Sequence, residues 1–312
     1  MRALRALQEE EDPSVSLEVL VAEGVRPSRQ RNIAATESSG EIIFFLDDDS
    51  MVSRGFLSRV VRHFEDPEVS VVGGPSLTPD SDSALQHAFS MVFASIFGGG
   101  GMRNRYRMTG DVRRSCDSEL ILCNLAFRRE TFLAHGGFDE RLYPNEENEL
   151  LERITRGGGV LIHDPILSVH RSQRPNLRAF CRQLFGYGRG RGRQTVISGV
   201  VRPITFIPSI FFIYLLLLPL VNKAVYYIPL LCYLILVVMT AVFEGLKSGR
   251  PRSALFLPLL FPLFHLCYGF GMISGLCSSA KDVPRDNSEV NVRRVKEFEG
   301  EWKSGTWNRG AV

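Results

Sequence analysis

Ile42-Ile43-Phe44-Phe45-Leu46-Asp47-Asp48-Asp49-Ser50 decides how this chain is read. An unbroken apolar run predicts a strand buried on both faces, as in a parallel sheet. It stops abruptly in three carboxylates, at the strand end where open α/β sheets bind ligands. Three adjacent acids repel one another, so a positive partner belongs there, most simply a divalent metal carrying phosphates. The same letters also fit a solvated acidic turn, or an N-cap cluster for the helix that starts near Ser53.

On the N-terminal side, residues 2–11 have the pattern of a helix, which Asp12-Pro13 ends. Ser16 to Ala22 reads as a strand finishing at Glu23-Gly24, and Pro27 opens a helix that runs through Arg31, Asn32 and Ala35. Strand–helix–strand alternation predicts a parallel sheet with crossover helices. No strand precedes residues 2–11, so the first strand, often central in doubly wound sheets, is expected to be missing.

On the C-terminal side, Gly55–Phe64 has helical spacing and Val69–Pro75 reads as a buried strand with a turn. Residues 84–97 suit a helix. Gly98–Gly101 followed by Arg103, Arg105 and Arg107 reads as a mobile loop, either a connector or a lid over an anion. Leu120–Phe127 is a strand, Arg129–Ala134 a short helix and Gly136–Glu140 a tight turn. Glu146, Glu147 and Glu149 fall in the first turn of a helix ending at Arg156, where the dipole alone favours acids. Val160–Pro165 and Leu167–His170 are further strands.

The chain has 312 residues and a net charge of +3, too small to argue for nucleic acid. None of its six cysteines forms a CxxC pair, which argues against a zinc site or disulfide framework and suits a reducing cytoplasm. No signal-peptide pattern is visible. Leu177–Arg193 is basic and helix-like, and Gly188-Arg189-Gly190-Arg191-Gly192-Arg193 is expected to break that helix. Alternating Arg and Gly can bind RNA, but a basic belt beside a membrane suits the apolar sequence that follows. Pro203–Val221 and Ala224–Phe243 are long enough to span a bilayer, as is Ala254–Ala280, which Pro258 and Pro262 interrupt. Basic residues before the first span and between the second and third place both on the cytoplasmic side. Three spans would put the basic tail outside, and a re-entrant third segment would remove that conflict. The tail, from Lys281 through Trp302 and Trp307, reads as loosely structured.

The order of motifs resembles a family 2 glycosyltransferase of the GT-A fold, of the bacterial membrane-bound kind. It rests on Arg29-Gln30-Arg31-Asn32-Ile33-Ala34, Gly40-Glu41 leading into Asp47-Asp48-Asp49, and Gly73-Gly74-Pro75. Asn124 with Phe127-Arg128-Arg129-Glu130, Gly136-Gly137-Phe138-Asp139-Glu140, Glu146-Glu147-Asn148-Glu149-Leu150 and His170 complete it. The implied fold is α/β, a GT-A-like mostly parallel sheet with flanking helices, followed by C-terminal transmembrane helices. The implied division is a transferase domain at 1–200, N-terminally incomplete, a membrane region at 203–280 with two or three spans, and a polar tail at 281–312.

What the resemblance implies can be stated by residue. Asp49 would ligate Mg²⁺ or Mn²⁺ on the donor diphosphate, with His170 completing the metal site. Asp47 and Asp48 would contact the nucleotide-sugar donor, as would Glu23, Arg31 and Asn32. Glu147 would be the general base, a Glu where the family has an Asp, and Glu146 would lie on the acceptor side. Arg182 and Gln183 resemble an interfacial helix near the diphosphate. The implied protein is a multi-pass enzyme of the bacterial inner membrane with its catalytic domain in the cytoplasm, inverting the donor's anomeric centre. It would move a sugar to a lipid-linked or polysaccharide acceptor. The competing reading is a non-catalytic partner in a polysaccharide assembly complex.

Overall fold

The computed structural model describes residues 2–9, 15–221, 223–278, 289–298, 300 and 302. In chain order the first elements are α1 (Arg2–Glu9), β1 (Val19–Glu23), α2 (Pro27–Glu37), β2 (Ile42–Leu46), α3 (Phe56–His63), β3 (Val69–Gly73), β4 (Ser76–Leu77) and α4 (Ala84–Ala94). Next come β5 (Arg113–Arg114), β6 (Asn124–Arg128), α5 (Arg129–Ala134), α6 (Glu146–Arg156), β7 (Val160–His163), β8 (Val169–His170) and α7 (Leu177–Ser198). The last are α8 (Ile207–Leu217), α9 (Ile228–Ser248), α10 (Pro251–Ala254), α11 (Leu257–Cys277) and β9 (Asn291–Lys296). They group into two compact units. One draws on Met1–Leu77, Asn104–Arg171 and Pro284–Val312, the other on Thr78–Arg103 and Ser172–Val283. These boundaries differ from the 1–200, 203–280 and 281–312 division read from sequence.

The first unit is built on a five-stranded sheet in the order β2-β6-β3-β7-β5. Strand side chains alternate between faces, and β2 shows why its apolar run has no gaps. Ile43 and Phe45 enter a core with Phe127, Phe132, Phe138, Leu150 and Ile154, under α5 and α6. Ile42, Phe44 and Leu46 pack on the other face with Phe56, Leu57 and Val60 of α3 and Leu7 of α1. The Phe45 ring sits 5.2 Å from Phe138 and 5.4 Å from Phe132, a cluster whose loss would cost about 3–5 kcal/mol per ring truncated.

The α/β class holds, with the sheet mixed. β6 runs antiparallel between β2 and β3, β7 is parallel to β3, and β5 is antiparallel at the far edge. The alternation breaks at β6 because the chain enters it from a short turn at Asp117–Glu119 rather than from a crossover helix. β1 and β2 do not pair as a parallel crossover would require. β2 stands at the sheet edge, and β1 forms a separate antiparallel pair with β9, Val19 opposite Lys296 and Glu23 opposite Asn291. The tail is thus a strand over 291–296 where the sequence suggested loose structure. Trp307 and most of the remaining tail lie outside the described residues.

The second unit is helical. Ser83 and Gln86 form a capping box at the start of α4, and Phe89 stacks on Phe180 of α7 at 4.0 Å. The Arg-Gly run does not break α7, which stays helical to Ser198. Its glycines are used for backbone approach. A Cβ on Gly188 would lie 2.1 Å from the Tyr268 carbonyl, and one on Gly192 would lie 2.5 Å from the Met272 carbonyl. Tight packing against α11 outweighs the helix penalty of glycine, about 1 kcal/mol each. Three stretches, Pro203–Leu220, Ala224–Ser248 and Leu257–Cys277, are long and apolar enough to cross a membrane.

Candidate active site

The acid loop is shaped by a turn, Ser50 N–H donating to the Asp47 carbonyl at 3.0 Å. Met51 and His170 then exchange backbone hydrogen bonds at 2.9 and 2.8 Å, which ties β8 to the loop. Two features hold β8 there. Asn124 Nδ2 donates to the Leu167 carbonyl at 2.6 Å and to the Pro75 carbonyl at 3.2 Å. At Gly74 the backbones come so close that a Cβ would lie 2.0 Å from the Leu167 carbonyl, so only glycine fits. The loop before β8 hangs on the fully buried Asp164. It accepts from Arg59 at 2.6 and 3.1 Å, from the Ile166 N–H at 3.0 Å, and contacts His63 Nε2 at 2.7 Å. Burial opposes ionisation of Asp164, but the hydrogen bonds from His63 and Arg59 outweigh it and hold the carboxyl well below the usual range.

This scaffold delivers Arg171 to the acids. Its Nε donates to Asp49 Oδ1 at 2.7 Å and its Nη1 meets Asp47 Oδ2 at 3.1 Å. Arg31 of α2 takes the other Asp47 oxygen at 3.3 Å and reaches Glu146 Oε1 at 2.8 Å. The result is an alternating chain, Asp49–Arg171–Asp47–Arg31–Glu146, from the tip of β2 to the start of α6. Beside it, Glu147 Oε1 lies 3.5 Å from Arg105 Nη1 and 3.3 Å from Asn148 Nδ2. Burial beneath the sheet end pushes the Cys123 thiol up to about 11.

Glu146 is 2 % exposed, and its Oε2 has no hydrogen-bond partner among the described residues. Burial, then the charge of Glu147, push it up to about 8, and Arg31 only partly offsets this. Near neutrality Glu146 is therefore mainly a neutral acid, accepting from Arg31 through Oε1. One buried carboxyl that keeps its proton beside a second carboxylate is how folds separate acid and base roles.

The structure brings Asp47, Asp49, Arg31, Glu146 and Glu147 into one array. The other sequence-derived site residues fall elsewhere. Asn32 spends its side chain on the 136–140 turn, donating to the Phe138 carbonyl and accepting from the Phe138 N–H, both at 2.9 Å. Glu23 pairs with Arg293 of β9 at 2.6 Å. Asp48 is exposed, and its carbonyl accepts the Ala3 N–H. His170 contributes its backbone to the site, and its ring makes no hydrogen bond among the described residues. Among those residues no group of three His, Cys, Asp or Glu side chains is set to hold a metal. The donor set that fits a divalent ion is Asp47 with Asp49, two carboxylates sharing one cation, since such an ion takes one or two carboxylates plus substrate phosphates.

Sequence reasoning missed Arg171 and Arg105 as site residues. Arg171 was visible only as the residue after His170. Arg105 was read as part of a mobile loop, yet it is buried and fixed. It donates to the carbonyls of Ser118 at 2.8 Å and Asp117 at 2.5 Å and to Asn148 Oδ1. Asn104 and Arg113 meanwhile bond Glu119; against its burial, these bonds and that of Ser115 hold it down at about 2.

A strand ending in carboxylates is tied by arginines to an acidic helix start. The model of glycosyl transferase family 2 matches residues 4–132 of the chain. The chain is 25 % identical over 162 residues to the pre-mycofactocin glycosyltransferase of Mycobacterium tuberculosis, covering 52 % of this chain and 33 % of that protein. It is 34 % identical over 119 residues to the O-antigen biosynthesis protein RfbC of Myxococcus xanthus, covering 35 % of this chain and 9 % of the relative. The chain thus spans a third or less of the length of the curated relatives it matches. Among solved structures it is similar to the mannosyltransferase PcManGT from Pyrobaculum calidifontis, in complex with GDP-Man and Mn²⁺. That likeness has a TM-score of 0.47 and 15 % identity, covering 80 % of this chain and 66 % of the other.

Proposed function

We propose that this chain is a membrane-anchored glycosyltransferase that moves a sugar from a nucleotide-sugar donor to an acceptor hydroxyl, with inversion. The observation that supports this reading best is the Asp49–Arg171–Asp47–Arg31–Glu146 chain, which sets the acid loop and Glu147 in one site. Glu147 takes the proton of the acceptor hydroxyl. The new C–O bond forms at the anomeric carbon while the bond to the diphosphate oxygen breaks, and the nucleoside diphosphate leaves with the electron pair. Arg171 stands beside the acids and supplies positive charge to the leaving diphosphate. Mg²⁺ or Mn²⁺ held by Asp47 and Asp49 would neutralise the same charge. Neutral Glu146 adds no second negative charge beside Glu147.

The apolar helices support anchoring at the inner membrane, with the transferase unit in the cytoplasm and a lipid-linked or polysaccharide acceptor. The test is titration of UDP and GDP into the detergent-solubilised full chain, with and without Mn²⁺, followed by transfer assays of Glu147→Gln. Metal-dependent binding with transfer lost in Glu147→Gln supports the reading. Binding of neither nucleotide, or unchanged turnover in Glu147→Gln, overturns it.

A further inference from the structure

The membrane topology follows from a parity argument. β1 and β9 pair in one antiparallel ladder within one unit. The chain leaves that unit after Arg171 and is back in it at β9, so the apolar region between them crosses a bilayer an even number of times. Three stretches are apolar and long enough, so one of them does not cross.

That one is α11. It is 44 % buried within the structure, against 11 % for each of the other two candidates. Its contacts also run the wrong way for a third span. A third span following α8 and α9 would run parallel to α8, with its start near the start of α8. Instead, Gly269 in its second half meets the first turn of α8: a Cβ there would lie 2.3 Å from the Pro208 carbonyl, and Ser209 Oγ donates to the Gly269 carbonyl at 3.1 Å. α10, just before α11, touches the last turns of α9, where a Cβ on Gly245 would lie 2.8 Å from that of Ala254. The start of α8 and the end of α9 are on the same side of a helical hairpin, so α11 sets out from that side and meets it again at Gly269, with His265 between them reaching the Tyr233 hydroxyl of α9 at 2.9 Å.

Its other neighbour gives the depth. α11 and α7 advance together, Gly271 against Phe185 and Gly275 against Arg189, so they run parallel in backbone contact. α7 carries Arg178, Arg182, Arg189, Arg191 and Arg193, and guanidinium groups in hydrocarbon are strongly disfavoured. Arg178, Arg182 and Arg189 are exposed and, at spacings of four and seven, share one face of the helix. Beside them lies an apolar helix. A cationic face next to an apolar one is the chemistry that binds anionic headgroups at a bilayer surface.

We propose that α7 and α11 lie together in the membrane interface, that Arg178, Arg182 and Arg189 hold anionic phospholipid headgroups, and that only α8 and α9 cross. This rests on the anchoring part of the proposed function. The test uses the full chain in bacterial membranes with a GFP or alkaline phosphatase reporter at either terminus. It adds lipid analysis of protein purified with and without Arg178→Gln/Arg182→Gln/Arg189→Gln. Both termini should report the cytoplasmic side. The triple variant, running as the parent does in size exclusion, should retain several-fold less phosphatidylglycerol and unchanged phosphatidylethanolamine. The corresponding triple Lys variant should restore most of the phosphatidylglycerol. Termini on opposite sides would overturn the topology, and equal phosphatidylglycerol in the Gln variant would overturn the headgroup site. Extraction of the parent chain by alkaline carbonate would instead sink the anchoring reading itself.

Discussion

Glu146→Gln gives the sharpest test of the electrostatics at the site. A carboxyl raised from 4.5 to about 8 carries ~5 kcal/mol between its two protonation states, at ~1.36 kcal/mol per pH unit. Because the folded value is the higher one, the group's contribution is fully present below about pH 4.5 and is lost as pH rises to about 8. Integrating the linkage from pH 5 to pH 8.5 gives a loss of about 4 kcal/mol, shared with Glu147 because the two carboxyls interact. Gln keeps an acceptor oxygen for Arg31 and has no proton to lose. The parent chain should therefore lose roughly 8 °C in Tm between pH 5 and 8.5 relative to Glu146→Gln, at about 2 °C per kcal/mol for a chain this size. Thermal unfolding of both proteins in one detergent, across that range, checks it. Parallel pH profiles would show that Glu146 is ionised throughout, and the division of labour with Glu147 would fall with it.

Arg171→Gln removes the cation that joins Asp47 and Asp49. Isothermal titration should then show tighter Mn²⁺ binding without nucleotide, while kcat for transfer falls at least tenfold. Asp164→Asn breaks a buried charge cluster and should cost about 3–5 kcal/mol, read as a lower denaturation midpoint. Asp164 has a depressed folded value, so its contribution stands above about pH 4 and is lost as pH falls further. The gap between parent and variant should therefore close in acid. Gly74→Ala forces a Cβ against the Leu167 carbonyl and should displace β8. Loss of protease resistance near Ile166 together with loss of transfer would register this.

The strand that ends in acids was legible because one short segment carries both signals, an apolar run for two cores and a polar stop at its end. Asn124, Gly74 and Glu146 were legible for the same local reason, each within a motif. Arg171 and Arg105 were not. What makes them site residues is a contact across 122 and 42 positions, Arg171 with Asp49 and Arg105 with Glu147, and no local pattern encodes it. The Arg-Gly run misled for a related reason. Alone, alternating glycines weaken a helix, and only the glycines of α11, more than 80 positions on, turn that weakness into close packing. The pairing of β1 with β9 is longer-range still, joining Glu23 to Arg293 across 270 positions.

The alternation of arginines and carboxylates also explains how the acids stand together. Asp47, Asp49, Glu146 and Glu147 converge on one sheet end, and bare they would repel. Arg171, Arg31 and Arg105 each take carboxylate oxygens. Asp47 and Asp49 are about a quarter to a third exposed, so their pairs are worth little in net stability, and both sides can exchange partners cheaply. The Glu146 end is buried, and there the fold relies on protonation rather than on exchange. The Asp47–Asp49 end is thus built to rearrange and the Glu146 end to stay fixed. A diphosphate arriving with a divalent ion would give the two aspartates a new cation and Arg171 a new anion, with no net charge left exposed by the swap. That exchange predicts that donor and Mn²⁺ bind with positive cooperativity in the parent chain and that Arg171→Gln reduces it. Titrating each ligand at fixed concentrations of the other measures the coupling. Equal coupling in parent and variant would show that Arg171 takes no part in the exchange.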